Sequence, residues 1–369
     1  MHEIKNIQSK TVNLSDSKAS VNSKKRINFI DVSKALLIYL VFLGHIERYG
    51  DAISTIIFSF HMPAFFIISG FFFTPPHTKV LLLRKESEFT TFLIKDIWRT
   101  IIPYFIFATI GIIIHLLNGH FFMFGKEMLK QIFIKCQPDY TYTGAGWFLI
   151  SMFFAYIWMY FYFMFFSHFD KWVKFIVLLL CFYCAANILS INRGFGVERL
   201  PFKLDSSIMS FIFMLFGYYM RRYNIVELII KNKFFSIFLF IAYWPLMRIN
   251  GWVNLANCSY NNFIFYFIES ICGTMLLFVF SYYISKVYMI RKIFADIGRT
   301  TLPMFMMHGM FLSYTITKLK INVGVDVVRP MSFIYSVILL IITYPIGKLY
   351  MMVMNKVMVQ KYKTKKAEN

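Results

Sequence analysis

Cysteine is scarce in this chain, and the few thiols present exclude two classes of protein. Cys136, Cys181, Cys184, Cys258 and Cys272 form an odd set, and Cys181 with Cys184 lies inside an apolar stretch where thiols behave as small hydrophobes. Neither a disulfide framework nor a zinc site is supported. The first 26 residues lack an apolar core followed by a small-residue cleavage site, so they are not a signal peptide; rich in Ser, Asn and Lys, residues 1–26 read as a disordered cytoplasmic tail. Internal repeats and low-complexity tracts are absent as well, and outside the tails no stretch is long enough for a separate soluble domain.

What the chain has in excess is apolar surface. Of its 369 residues, 58% are hydrophobic and 20% aromatic, including 45 Phe and 23 Tyr, and the mean hydropathy is +0.59. An ordinary soluble domain is about 45–50% apolar and could not hide this surplus. The apolar residues gather into long uncharged runs, which read as bilayer spans, near 29–47, 53–74, 97–117, 146–167, 173–190, 205–220, 234–249, 260–284, 297–317 and 332–354. The expected fold is all-α, a polytopic integral membrane protein of about ten transmembrane helices. One membrane domain is expected over 27–356, with a basic cytoplasmic tail over 357–369.

A formal charge of +21 would invite a nucleic-acid reading in a soluble protein. Here the cations sit between the apolar runs and no basic stripe or recognition helix stands free of them, so nucleic acid is not an expected partner. In a membrane protein such clusters report topology and contact with anionic lipid. Loops carrying Lys24, Lys25 and Arg26, then Arg84, Lys85 and Lys95, then Arg221 and Arg222, then Arg291 and Lys292, then Lys361, Lys363 and Lys365 fall on one side. The positive-inside rule makes that side cytoplasmic and places both termini there. Two outer loops fit less well: 118–145 with Lys126, Lys130 and Lys135, and 191–204 with Arg193 and Arg199. These could instead touch an anionic ligand.

Charged and imidazole side chains within spans are expensive in lipid, and are functional candidates for that reason. The first span places Asp31 and Lys34 near its cytoplasmic end and His45 eleven residues after Lys34. That spacing puts Lys34 and His45 on one helical face about 16 Å apart along the axis. The bland alternative is that the end charges snorkel to the headgroups and His45 is a packed interior residue. His61 in the second span and His308 in the ninth fall at a similar expected depth, and three imidazoles at one level point to a shared polar cavity. No carboxylate or His stands at i+3 or i+4 to any of them, which argues against a metal site. A neutral buried imidazole can instead take a proton from a hydroxyl, as acyl transfer to an alcohol requires.

The segment before the third span brings Arg84, Lys85, Lys95 and Arg99 to the membrane surface. It reads either as an ordinary positive-inside loop or as a grip for the phosphates of an acyl carrier from the cytosol. Weaker candidates are Trp147, equally well an interface anchor; Asp205, equally well a helix cap; and Glu269, which needs a buried partner or a proton.

Several separate segments resemble the acyltransferase-3 membrane proteins, and within them the fucose 4-O-acetylase-like sugar O-acetyltransferases. Asp31-x-x-Lys34 followed by Leu43-Gly44-His45 is similar to that family's first-helix signature, and Phe60-His61-Met62-Pro63 through Phe65, Phe66, Ser69 and Gly70 to its second. Lys95, Arg99, Pro103 and Tyr104 resemble its basic motif, Gly146-Trp147-Phe148-Leu149 its WFL segment, and Leu302 with His308 its late helix, so that the match runs from residue 26 to 310. Lys34 departs from the Arg common elsewhere in the superfamily, and no extracytoplasmic acceptor domain is expected after the membrane domain.

The resemblance implies acetyl transfer from acetyl-CoA, presented on the cytoplasmic side of a bacterial cell membrane, to a sugar hydroxyl of a surface polysaccharide or its lipid-linked precursor. In that reading His45 takes the hydroxyl proton or transiently accepts the acetyl group, His61 assists, and Lys34, Lys95 and Arg99 hold the donor's phosphates or stabilise the thioester oxyanion. Arg84 and Lys85 join the donor site, and no metal is expected. The implied partners are acetyl-CoA, the carbohydrate acceptor, membrane lipid, and a second copy of the chain or the polysaccharide assembly machinery. Two rivals stand beside it: a transporter or flippase whose buried His and Glu269 form a pathway, and an inactive scaffold or sensor.

Overall fold

The computed structural model describes residues 28–47, 50–77, 87–117, 125–138, 143–319 and 329–367. Among these residues the chain is nearly all helical, with no β-strand. Each expected span coincides with a helix. In chain order they are α1 (Asn28–Ile46), α2 (Ala52–Phe71), α3 (Glu88–Arg99) continued by α4 (Ile101–Leu117), a short α5 (Lys126–Lys130), α6 (Trp147–Phe166), α7 (Lys171–Gly194), α8 (Leu204–Arg222), a short α9 (Ile225–Lys231), α10 (Lys233–Asn250), α11 (Phe263–Ser285), α12 (Tyr288–Gly298), α13 (Thr301–Leu319) and α14 (Arg329–Ala367).

Seven helical stretches among the described residues are long and apolar enough to cross a membrane: α1, α2, α3 with α4, α6, α7, α11 and α14. The chain is a multi-pass membrane protein. α8, α10 and α13 stand where further spans were expected but fall outside that set. Ser206, Ser207 and Ser210 dilute the apolar run of α8, and α10 carries Lys233 and Arg248. α1, α2, α6, α8 and α11 form the interior, where Phe42, Phe66, Phe213 and Phe278 are fully buried. α7, α10 and α14 lie outside them and turn large apolar side chains outward, such as Leu180, Phe238 and Ile341. In water those faces would be a liability; in lipid they are the solvated surface.

Two contacts explain why the interior helices hold their places. Hydrophobic burial does little to drive helices together once they are in lipid, so close approach relies on small residues and van der Waals contact. α2 and α8 meet this way at two glycines: a Cβ at Gly70 would lie 1.8 Å from the carbonyl oxygen of Met214, and one at Gly217 would lie 2.0 Å from that of Ile67. The second contact is polar. Pro63 lies inside α2 and has no N–H, so the carbonyl of Ser59 loses its helical donor. The Ser270 hydroxyl on α11 donates to that carbonyl at 2.6 Å instead. α2 therefore runs unbroken from Ala52 to Phe71, and Pro303 sits in the first turn of α13, where a missing N–H leaves no gap.

Three elements differ from expectation. Lys95 and Arg99 are not in a surface loop but on α3, a helix capped by the Ser87 hydroxyl, which accepts from the Thr90 amide at 3.1 Å. Arg291 and Lys292, also expected in a loop, lie on α12, which presses Gly298 so tightly against α1 that an added Cβ would be 2.0 Å from the Asp31 carbonyl oxygen. α14 continues to Ala367, through the stretch expected as a tail. Residues 1–26 lie outside the described residues.

The glycine contact can be tested by overpacking. Gly217→Ala should force α2 and α8 apart and cost about 1–3 kcal/mol, seen as a lower melting temperature of the detergent-solubilised protein. Gly194→Ala, whose Cβ would meet nothing within 4 Å, should leave the melting temperature unchanged.

Candidate active site

The three imidazoles of α1, α2 and α13 converge on one cavity of about 360 Å³. His45, His61 and His308 line it together with Phe58, Trp147, Gln137 and the turn Asn254–Asn257. The ring centroids of His45 and His308 are 4.8 Å apart, and Phe58 stands edge-on to both His45 and His61 at 5.8 and 5.0 Å. The helices are staggered. His61 is the tenth residue of α2 and His45 lies in the last turn of α1, yet both reach the same cavity.

Two of these rings have their tautomer set by the backbone. His61 Nδ1 lies 2.7 Å from the carbonyl oxygen of Ile57, and His308 Nδ1 bonds the carbonyl oxygen of Phe305. A carbonyl only accepts, so Nδ1 must carry the hydrogen in both rings and Nε2 is left as the basic nitrogen. Both helices thus supply an imidazole already oriented to take a proton through Nε2. The carbonyls sit one turn back on the rings' own helices, so the helical repeat itself provides the brace.

The candidate cations Lys34, Lys95 and Arg99 fall at the other end of the bundle, here called the basic end. Lys34 does not join the imidazoles: its Nζ is 3.7 Å from Asp31 Oδ1 and 5.5 Å from the centre of the Phe72 ring. Arg221 approaches the same ring at 5.7 Å and donates to the Phe71 carbonyl at 3.1 Å. Arg99 pairs with Asp96 at 2.9 Å and lies 3.5 Å over the Tyr156 ring, with its side chain 38% exposed. Lys95 is exposed beside it, while Arg84 and Lys85 lie outside the described residues. Between this end and the cavity stands an aromatic layer. Phe148 contacts Phe65, Phe66 and Phe305 at centroid distances of 5.8, 4.9 and 5.1 Å. Phe65 and Phe66 lie one turn from His61 toward the basic end, and Phe305 the same from His308. On the face of α1 that Lys34 and His45 share, Ile38, Val41 and Phe42 are buried between them.

Of the remaining candidates Trp147 lines the cavity, and Asp205 and Glu269 do not. Trp147, expected equally well as an interface anchor, is buried in its wall. Asp205 is fully buried and ion-paired with Arg199 rather than acting as a simple cap. Glu269 is buried on α11 and accepts from the Asn250 amide at 2.9 Å. Among the described residues no group of three or more His, Cys, Asp or Glu side chains could hold a metal ion. Gln137, Asn254 and Asn257 were not singled out in the sequence. The signal available was the run of Asn254, Asn257, Asn261 and Asn262, an amide-rich patch in an otherwise oily chain.

A sequence model of the acyltransferase domain, acyltransferase-3 type, matches residues 27–350. The chain belongs to the acyltransferase-3 family. Neither a curated protein nor a solved structure matches it.

For a membrane acyltransferase the first question is what could carry or activate the transferred group. Two thiols lie near the cavity, Cys136 and Cys258, and burial pushes both up to about 11. They remain protonated near neutrality and are poor nucleophiles. Arg199, in one of the outer loops that fitted the charge rule less well, is taken up internally by Asp205 and by the Ala256 carbonyl at 2.9 Å.

Removing that cation should be costly. Arg199→Met would leave Asp205 buried without its countercharge, a loss of about 3–5 kcal/mol. The expected result is little monodisperse protein after detergent extraction, with recovery in the double variant carrying Asp205→Asn as well.

Proposed function

We propose that this acyltransferase moves an acetyl group from acetyl-CoA to a sugar hydroxyl of a surface polysaccharide or its lipid-linked precursor, in the manner of the fucose 4-O-acetylase-like proteins it resembles. The observation that carries the reading is the imidazole cavity, in which neutral, backbone-braced rings meet an amide-rich wall in a chain of the acyltransferase-3 family. The membrane is that of a bacterial cell, with the basic end in the cytoplasm.

His45 is the proposed base. It takes the acceptor's hydroxyl proton as the oxygen attacks the thioester carbonyl; the carbon–sulfur bond breaks, and the departing thiolate recovers a proton from the imidazolium. A two-step variant passes the acetyl group through an imidazole nitrogen, releasing CoA thiol before the sugar attacks. His308, 4.8 Å away, and His61 orient the reacting groups. At the basic end Arg99 and Lys95 bind donor phosphates, with Arg84 and Lys85 adding to them. Lys34 stands at that same end, three turns from His45, so its part is with the donor rather than with the proton transfer.

Cells lacking the protein, complemented at matched membrane abundance, give the test. Wild type should restore glycan O-acetylation and His45→Ala should not; equal restoration by both would remove His45 from the mechanism. In membranes or detergent, Arg99→Ala should raise the KM for acetyl-CoA about tenfold, the loss of one charge-assisted contact, with the acceptor KM unchanged. An unaltered donor KM would count against the phosphate grip.

A further inference from the structure

Two segments with unusual backbone pack against each other beside the cavity. Cys136, at φ 50°, ends the π-turn of Gln131–Lys135 just before Gln137. Phe202 and Lys203, at φ 57° and 55°, lead into α8. Residues other than glycine hold this left-handed conformation only where their surroundings demand it. The demand here is a bond between the two segments: Lys203 Nζ donates to Gln137 Oε1 at 2.6 Å and to the Ala256 carbonyl at 3.3 Å. Arg199 donates to the same Ala256 carbonyl. Gln137 and Ala256 both line the cavity, so Lys203, itself buried, braces two parts of its wall.

That bond decides which way the amide of Gln137 faces. An ammonium group only donates, so Lys203 must meet the oxygen, and the opposite end of the amide is the Nε2 group with two N–H donors. The imidazole Nε2 atoms of His61 and His308 are acceptors. A polyhydroxylated molecule offers both kinds of partner: one hydroxyl hydrogen for an imidazole, and oxygens for an amide donor.

We propose that Gln137 is an acceptor-binding residue, donating through Nε2 to a hydroxyl oxygen of a carbohydrate, and that Lys203 is the positioning residue that turns this amide toward the cavity. The proposal rests on the O-acetyl transfer reading only for the acceptor's chemical class, and its test separates the two.

Gln137→Glu keeps a partner for Lys203, now as an ion pair, but removes both N–H donors. Lys203→Met removes the brace, and Lys203→Arg retains a donor. The probe is a set of de-O-acetylated oligosaccharide fragments of the producing cell's own surface polysaccharide. Binding is read from the fluorescence of Trp147 and Trp252, which lie in or beside the cavity, and turnover is followed separately with acetyl-CoA. Gln137→Glu should weaken acceptor binding and raise the acceptor KM about tenfold, the scale of one lost hydrogen bond that leaves a partner unmet. The donor KM and kcat should change little, and the melting temperature should not fall. Lys203→Met should show the same KM effect and Lys203→Arg should reverse it. Acceptor affinity unchanged in a folded Gln137→Glu protein would overturn the proposal. Binding that is lost in Gln137→Glu while wild type transfers no acetyl group would uphold the proposal and overturn the function instead.

Discussion

An imidazole buried among membrane helices has to find its hydrogen-bond partner inside the protein, because the hydrocarbon around it has none. Here the partner is the backbone itself. The carbonyls of Ile57 and Phe305, each on the ring's own helix, hold Nδ1 of His61 and His308. The arrangement needs no second polar side chain, so apolar residues such as Phe42, Phe58 and Phe305 can crowd around the rings. The rest of the bundle follows from holding those two helices in register with α1, which is what the backbone contacts of α2 with α8 and of α12 with α1 accomplish.

The same economy governs Pro63. A proline within a spanning helix would leave a carbonyl orphaned in lipid, and Ser270 removes that penalty from across the helix interface. Polar side chains in the interior are therefore mostly repairs or braces rather than catalytic groups. Ser59, Ser270, Asn250 and Asp205 each answer another group of the chain. This is why the presence of a buried polar residue alone discriminates poorly between machinery and scaffold.

The three imidazoles were legible in the sequence because lipid makes each polar residue in an apolar run conspicuous, and counting along helices places it. The same counting put Lys34 on the face of His45 without revealing what fills the three turns between them. Ile38, Val41 and Phe42 carry no signal that they are buried there. α12 was hidden because Arg291 and Lys292 mark a basic segment between spans without saying whether it is helical; its buried face, Ala295, Ile297 and Gly298, has a role only once α1 is beside it. Gln137 and Lys203 were beyond reach for a different reason. They are 66 residues apart, and left-handed turns at Cys136, Phe202 and Lys203, which no glycine announces, bring them together.

The fused backbones of α2 and α8 also set a clock. Helices that touch carbonyl to α-carbon at Gly70 and Gly217 cannot slide or part without losing contact along their length, a collective motion of the microsecond-to-millisecond class. The rings of Phe65, Phe148 and Phe305 are under no such lock. A molecule passing from the basic end to the imidazoles would meet these rings, whose turning needs no parting of α2 from α8, closer to a turnstile than to a door.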